Sequence, residues 1–221
     1  MQEKIKQLKA FLLSRGVTLG PGLTDEEFEK IEEIYGFRFP KDLHQIYENF
    51  TLIGDRFYNW KDFSPKNIAF IRNCIEDALD TFDQHIRQYW LKRHGKDFSD
   101  ISDEELKLTV PRMIPIYSHR YMPATPHESG NPVFSIVTND MIYYGADIFH
   151  YFQHEFPAPC KTFRESSELH NKLWQKHVVK PPKKPIIFWD DMLDPGRLYD
   201  HKADYPDEDS YKFKYTFWKQ E

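Results

Sequence analysis

The stretch Gly130-Asn-Pro-Val-Phe-Ser-Ile-Val-Thr-Asn-Asp-Met-Ile-Tyr-Tyr-Gly145 constrains this chain most, because it sets an apolar run on each side of Thr138-Asn-Asp140 and a glycine at each end. β-Branched and aromatic side chains suit a pleated surface, so two such runs around a polar break predict a β-hairpin. An isolated hairpin is marginal in water. The remaining chain must supply further strands and the helices that cover them.

Upstream, apolar residues recur every three or four positions. Ile5, Leu8 and Leu12 predict a helix that stops at Gly16, and Gly20-Pro-Gly22 breaks the chain. Thr24 followed three residues on by Glu27 forms a capping box, with Phe28, Ile31 and Tyr35 as the buried stripe and Gly36 as the stop. Pro40 suits a first helical turn, and Leu43, Ile46, Tyr47 and Phe50 give the inner face of a second helix, completing an αα-hairpin. Phe57-Tyr-Asn-Trp60 reads as a strand or tight loop. Ser64-Pro65 opens a long helix whose stripe runs from Ile68 and Ile71 to Trp90, ending near Leu91, and Ser102-Asp-Glu-Glu105 could start a short one.

After Pro111 the period becomes two. Met113 to Tyr117, Val133 to Val137 and Met141 to Tyr144 predict strands, with Val133, Ile136 and Ile142 expected to pack and Asn139-Asp140 to turn. Ile148, Phe149, Phe152 and Phe156 then make a helical face, and a capping box at Thr162-Phe-Arg-Glu165 opens a helix through Trp174. Lys180-Pro-Pro-Lys-Lys-Pro185 is an extended connector to Ile186-Ile-Phe-Trp189 at the sheet or its edge. In the tail, Asp204 to Asp209 is a solvated acidic linker, and Tyr211 to Trp218 alternates as a lysine-protected edge strand would. Helices, then sheet, then helices predict an α+β fold with a mainly antiparallel central sheet flanked by helices.

Composition limits the function classes. Aromatics at 16% within a 40% hydrophobic chain can fill a substantial core despite a mean hydropathy of -0.71. The net charge of -5 argues against a nucleic-acid binder, which needs a clustered basic surface, and suits a basic partner instead. Cys74 and Cys160 have no metal-ligand spacing and read as reduced thiols. The charged, amphipathic first residues lack the apolar core of a signal peptide, and no segment has the apolar length of a membrane span, so a cytoplasmic location is expected.

Three clusters carry potential chemistry. Asp147, His150 and His154 share a face if the segment is helical, either as a metal site or as a solvated polar face; a zincin would need Glu where Tyr151 stands. Asp190, Asp191 and Asp194 follow a strand, either as acid-base groups or as an ordinary wet loop. His119, Arg120, His127, Glu128 and Asn131 lie in the polar loop from Ser118 to Pro132, where they could converge on a ligand or bond the loop's own backbone. A nucleophile elbow, phosphate loop and dinucleotide fingerprint are absent.

Several segments together resemble the SUKH superfamily, in particular bacterial members similar to the fungal Smi/Knr cell-wall-assembly regulators. They are Gly22-Leu-Thr-Asp-Glu-Glu-Phe-Glu-Lys-Ile-Glu with Phe39-Pro-Lys-Asp-Leu, and Gly54-Asp-Arg-Phe-Tyr-Asn-Trp60. Ile114-Pro-Ile-Tyr-Ser-His-Arg-Tyr-Met-Pro123, the hairpin with Asp147-Ile-Phe-His-Tyr-Phe, and Ile187-Phe-Trp-Asp190 follow in the same order. The resemblance divides the chain into an N-terminal helical extension at 1–18, a SUKH-like domain at 19–193 and a C-terminal extension at 194–221.

It implies a non-enzymatic protein-binding domain without catalytic residues, metal ligands or cofactor. The expected role is an immunity protein that binds and neutralises a basic toxin domain, a nuclease among the candidates. A regulator or scaffold of cell-wall assembly is the alternative, and a metal-dependent hydrolase the third. The expected partner-binding residues are Asp55, Arg56, Asn59, Trp60, His119, Arg120, Glu128 and Asn131, with steering by Asp25, Glu26, Glu29, Glu33, Asp55, Asp103, Glu104 or Glu105. Neither nucleic acid nor membrane is an expected partner, and the oligomeric state is open.

Overall fold

A computed structural model describes residues 1–80, 95, 100, 102, 110, 112–137 and 140–156. Among them are five helices and two antiparallel sheets, an α+β fold. Of the expected turn residues Asn139-Asp140, Asp140 is a strand residue paired with Val137. Residues 138 and 139, the helix beyond residue 80, the acidic stretch around Ser102 and everything assigned after Phe156, including Asp190, Asp191, Asp194 and the tail strand, lie outside the described residues.

Helix α1 (Gln2–Ser14) buries Ile5, Leu8 and Leu12 in the main core. Its end follows from Gly16, whose φ of 78° is left-handed: Val17 N–H reaches back to Leu12 O at 3.1 Å and Gly16 N–H to Leu13 O at 3.0 Å. These two bonds form a Schellman cap, and the buried Leu12 and Val17 supply its apolar contact.

Strand β1 (Thr18–Pro21) pairs antiparallel with β2 (Phe50–Ile53). Neither was legible as a strand, since Gly20-Pro-Gly22 reads as a breaker and Phe50 as the last residue of a helical stripe. Phe50 instead opens β2, fully buried, because Thr51-Leu-Ile53 finds a partner strand only after the intervening helices fold back. Between them lie α2 (Asp25–Tyr35) and α3 (Lys41–Asn49), the expected hairpin. The capping box is present in both directions, Thr24 N–H to Glu27 Oε2 at 2.9 Å and Glu27 N–H to Thr24 Oγ1 at 3.3 Å.

Gly22 closes this region by close approach. A Cβ there would sit 1.9 Å from the backbone oxygen of Glu48, while Leu23 N–H holds Tyr47 O at 2.8 Å. Backbone cannot swing aside as a side-chain tip can, so Gly22→Ala is expected to cost at least about 3 kcal/mol. An unchanged urea midpoint would refute the tight packing.

Helix α4 (Pro65–Asp80) starts as the cap-then-proline rule expects, with Ser64 Oγ accepting from Asn67 N–H at 3.4 Å. It buries Ile71, Ile75 and Ala78. The second sheet runs β3 (Met113–Tyr117), β4 (Arg120–Pro123), β5 (Val133–Val137) and β6 (Asp140–Gly145) in consecutive antiparallel order. The opening hairpin is β5–β6, with Val137 opposite Asp140 and Ser135 opposite Ile142. As expected, Val133 and Ile136 are buried, and Ile142 is partly buried against the core.

Helix α5 (Ile148–Glu155) packs on β6 at Gly145, where a Cβ would meet Tyr151 Cβ at 2.5 Å. Its inner face is Ile148, Tyr151, Phe152 and His154, so the helical stripe predicted from sequence is rotated toward Tyr151, while Phe149 and Phe156 are only partly buried.

Candidate functional site

Eight residues were expected to bind a partner, and the structure gives them different environments. Trp60 is a core residue: it is 3% exposed, and its indole N–H reaches Tyr47 Oη at 3.3 Å. Its ring contacts Tyr35, Phe37 and Phe39 edge-on, at centroid distances of 5.6, 6.1 and 5.2 Å. Asn59 is exposed but bonded, with Oδ1 accepting from Lys61 N–H at 3.2 Å and its carbonyl from Asn67 Nδ2 at 2.9 Å, which fixes the approach to α4.

Asp55 and Arg56 are exposed on the turn after β2. Arg56 O accepts from Ser118 N–H at 2.8 Å, bringing this turn against the β3–β4 turn. There His119 is exposed, with Nδ1 3.2 Å from Ser118 Oγ. Desolvation and the cations of Arg120 and Arg56 hold its imidazole below the usual histidine range, so it is mainly neutral at pH 7. Asp55, Arg56 and His119 thus form one small polar surface.

The stretch from Ser118 to Pro132 is not one loop. Tyr121 and Met122, both buried, form strand β4 within it. A four-residue strand separates its ends by roughly 10 Å, so His119 sits at one end of β4 while His127, Glu128 and Asn131 lie beyond the other. The expected convergence of these side chains therefore fails, because a strand too short to show a clear period lies between them.

At that second end the polar groups bond the protein itself. Asn131 is fully buried and donates from Nδ2 to Pro123 O and Pro126 O, each at 2.9 Å. Gly130 N–H donates to Asp42 Oδ2 at 2.8 Å, and Asp42 Oδ1 accepts from Leu43 N–H at 2.9 Å. Asp42 is 1% exposed, and burial raises its carboxyl above the usual range against the pull of these backbone donors. It latches the loop to α3. Glu128 is exposed on this loop.

Arg120 is likewise structural. Its Nε donates to Glu155 Oε2 at 3.0 Å, its Nη1 to Ser135 Oγ at 2.6 Å, and its guanidinium lies 3.7 Å from the centre of the Tyr144 ring. Side-chain exposures of 11% and 13% leave the Arg120–Glu155 pair largely shielded from water.

Asp147, His150 and His154 take separate duties. Asp147 caps α5, with Oδ1 accepting from His150 N–H at 2.8 Å, and His150 Nδ1 accepts from Ala146 N–H at 3.1 Å. His154 is buried against the Tyr144 ring at 4.5 Å. Among the described residues no group of three His, Cys, Asp or Glu could hold a metal ion.

Cys74 is half-buried on α4 and burial raises its thiol pKa. In a Cys160→Ser background, Cys74 is expected to react with iodoacetamide at pH 8 at least about tenfold more slowly than a cysteine peptide. Equal rates would mean the thiol is open and activated.

A concave feature lies elsewhere, a cavity of about 680 Å³ on the α2–α3 hairpin. Phe28, Ile31, Phe37 and Phe39 line its apolar part. Asp25, Glu29 and Glu48 stand on it as exposed carboxylates, at the end where Leu23 is bonded to Tyr47. Arg38, Lys41 and His127 line it toward the hairpin turn, with Arg38 paired to Glu32. Phe28 stacks on His44, centroids 3.9 Å apart, tying the two helices together across it. Asp25 and Glu29 were expected only as steering charges; their place on a cavity depends on how the helices splay.

No family model, curated protein or solved structure matches this chain. Among the described residues no helix is long and apolar enough to cross a membrane.

Proposed function

We propose that this chain is a non-enzymatic protein-binding domain, an immunity protein of SUKH type that binds and neutralises a basic toxin domain. The observation that carries this reading is the charge on α2. It holds six carboxylates against one lysine, and Asp25, Glu26, Glu29 and Glu33 are exposed. Two others are engaged within the fold: Glu32 pairs with Arg38, and Glu27 pairs with Lys61, whose Nζ also donates to Gly22 O at 2.9 Å. Burial alone would raise the Glu27 carboxyl, but Lys61 and the Thr24 amide outweigh it and bring it below the usual range.

The exposed carboxylates thus form one negative face, which steers a cationic partner and repels phosphate. Acids in a first helical turn also favour the helix dipole, but Glu29 and Glu33 lie beyond that turn. The segment likeness to SUKH proteins and the α+β architecture support the same reading.

The deciding experiment is affinity capture from the native cell, followed by co-expression with toxin domains encoded beside the gene. Growth rescued by this chain is the expected result. No toxin-like neighbour, together with no secreted toxin domain captured, would overturn it. A wall-antibiotic phenotype on deletion would then favour the cell-wall regulator.

A further inference from the structure

The cavity on the α2–α3 hairpin has ends of opposite sign. Asp25, Glu29 and Glu48 make no ion pair among the described residues, whereas Arg38 at the other end is already neutralised by Glu32 and leaves Lys41 as the cation there. Between the ends, the half-buried Gln45 and His44 line the floor. Three exposed carboxylates at one end call for a hydrogen-bond donor carrying positive charge.

The apolar part sets a second condition. Phe28 is only partly buried, so its ring offers a surface on which the methylene stem of lysine or arginine, or an adjacent apolar side chain, loses water contact. A small inorganic cation would leave that surface wet, and a nucleic acid would face repulsion from the carboxylates.

We propose that this groove is the docking site for a basic segment of a partner protein, one presenting lysine or arginine beside an apolar side chain. The proposal rests on the protein-binding reading above and adds the surface and the chemistry it selects. The cationic group sits between Asp25, Glu29 and Glu48, and its stem covers Phe28.

The test is a titration of the full, ¹⁵N-labelled chain with a blocked Leu-Arg-Lys-Leu-Arg peptide and with its Leu-Glu-Glu-Leu-Glu counterpart. The basic peptide is expected to shift the backbone amides of Phe28, Glu29, His44 and Gln45, and the acidic one to leave them in place. Glu29→Lys should weaken binding at least about fivefold, while Glu76→Lys, which makes the same charge change on exposed α4 surface, should stay within about twofold. Glu48→Gln gives a milder loss without a new charge and guards against a folding defect in Glu29→Lys. Shifts confined to other elements, equal binding of both peptides, or equal losses in Glu29→Lys and Glu76→Lys would overturn the groove.

The two readings fail separately. A Glu29→Lys chain that still neutralises its toxin removes the groove and keeps the immunity function. Selective peptide binding in the groove by a chain that rescues no toxin removes the immunity function and keeps the groove.

Discussion

Trp60→Ala is expected to lower the unfolding free energy by about 3–5 kcal/mol, read as a fall in the urea midpoint at unchanged slope. Trp60 stands among Tyr35, Phe37, Phe39, Tyr47 and Tyr58, which come from α2, the turn after it, α3 and the segment before α4. Truncation removes the apolar contacts of a side chain only 3% exposed and opens a cavity among rigid rings that cannot collapse into it. The Tyr47 hydroxyl would lose its indole donor as well; burial pushes that hydroxyl's pKa far above the normal tyrosine value. Trp60→Phe should recover more than half of the loss, because most of the ring contact survives. A Trp60→Ala chain of unchanged stability that no longer bound its partner would restore Trp60 to the binding surface where the sequence had suggested it.

Arg120→Ala is expected to cost about 2–4 kcal/mol, by the same measurement. Removal strands the Glu155 carboxylate in a setting 13% exposed, takes the donor from Ser135 Oγ and uncovers the Tyr144 ring. Burial and Glu155 raise the Tyr144 hydroxyl pKa while Arg120 lowers it, so the loss of the guanidinium also leaves that ring facing an unopposed anion. Arg120→Lys should recover less than half, since an ammonium cannot reach two acceptors in a fixed fork while lying flat on a ring. The paired Arg120→Met/Glu155→Leu chain should be clearly more stable than Arg120→Ala, because it leaves no shielded charge alone. If Arg120→Ala and wild type unfold at the same urea concentration, the pair is solvated and the residue is again available to a partner.

These two residues show where sequence reasoning reaches and where it stops. Elements with their own local signal were legible: the Thr24–Glu27 capping box, the Ser64-Pro65 start of α4, the Gly16 stop of α1 and the β5–β6 hairpin all occur where the residues place them. Each depends on groups within a few positions of one another, or on a period the chain itself displays. Strands β1, β2 and β4, of four residues each, were not legible, because so short a run is a strand only if another strand lies beside it. The candidate surface suffered the same way. Trp60 and Arg120 carry side chains common at interfaces, and nothing local distinguishes an aromatic that faces a partner from one that faces five other rings.

The sequence by itself determined the fold class, the position of most helices, the central hairpin and the acidic character of α2, since periodicity, capping and formal charge are properties of neighbouring residues. Tertiary structure alone decided which of the polar and aromatic residues remain available. It withdrew Trp60, Arg120 and Asn131 into the fold, separated His119 from Glu128 by the length of a strand, and set Asp25, Glu29 and Glu48 on the edge of one groove. The reason is physical: exposure and convergence are set by side chains arriving from distant positions, and burial of a polar group is tolerated only where those arrivals supply its hydrogen-bond partners.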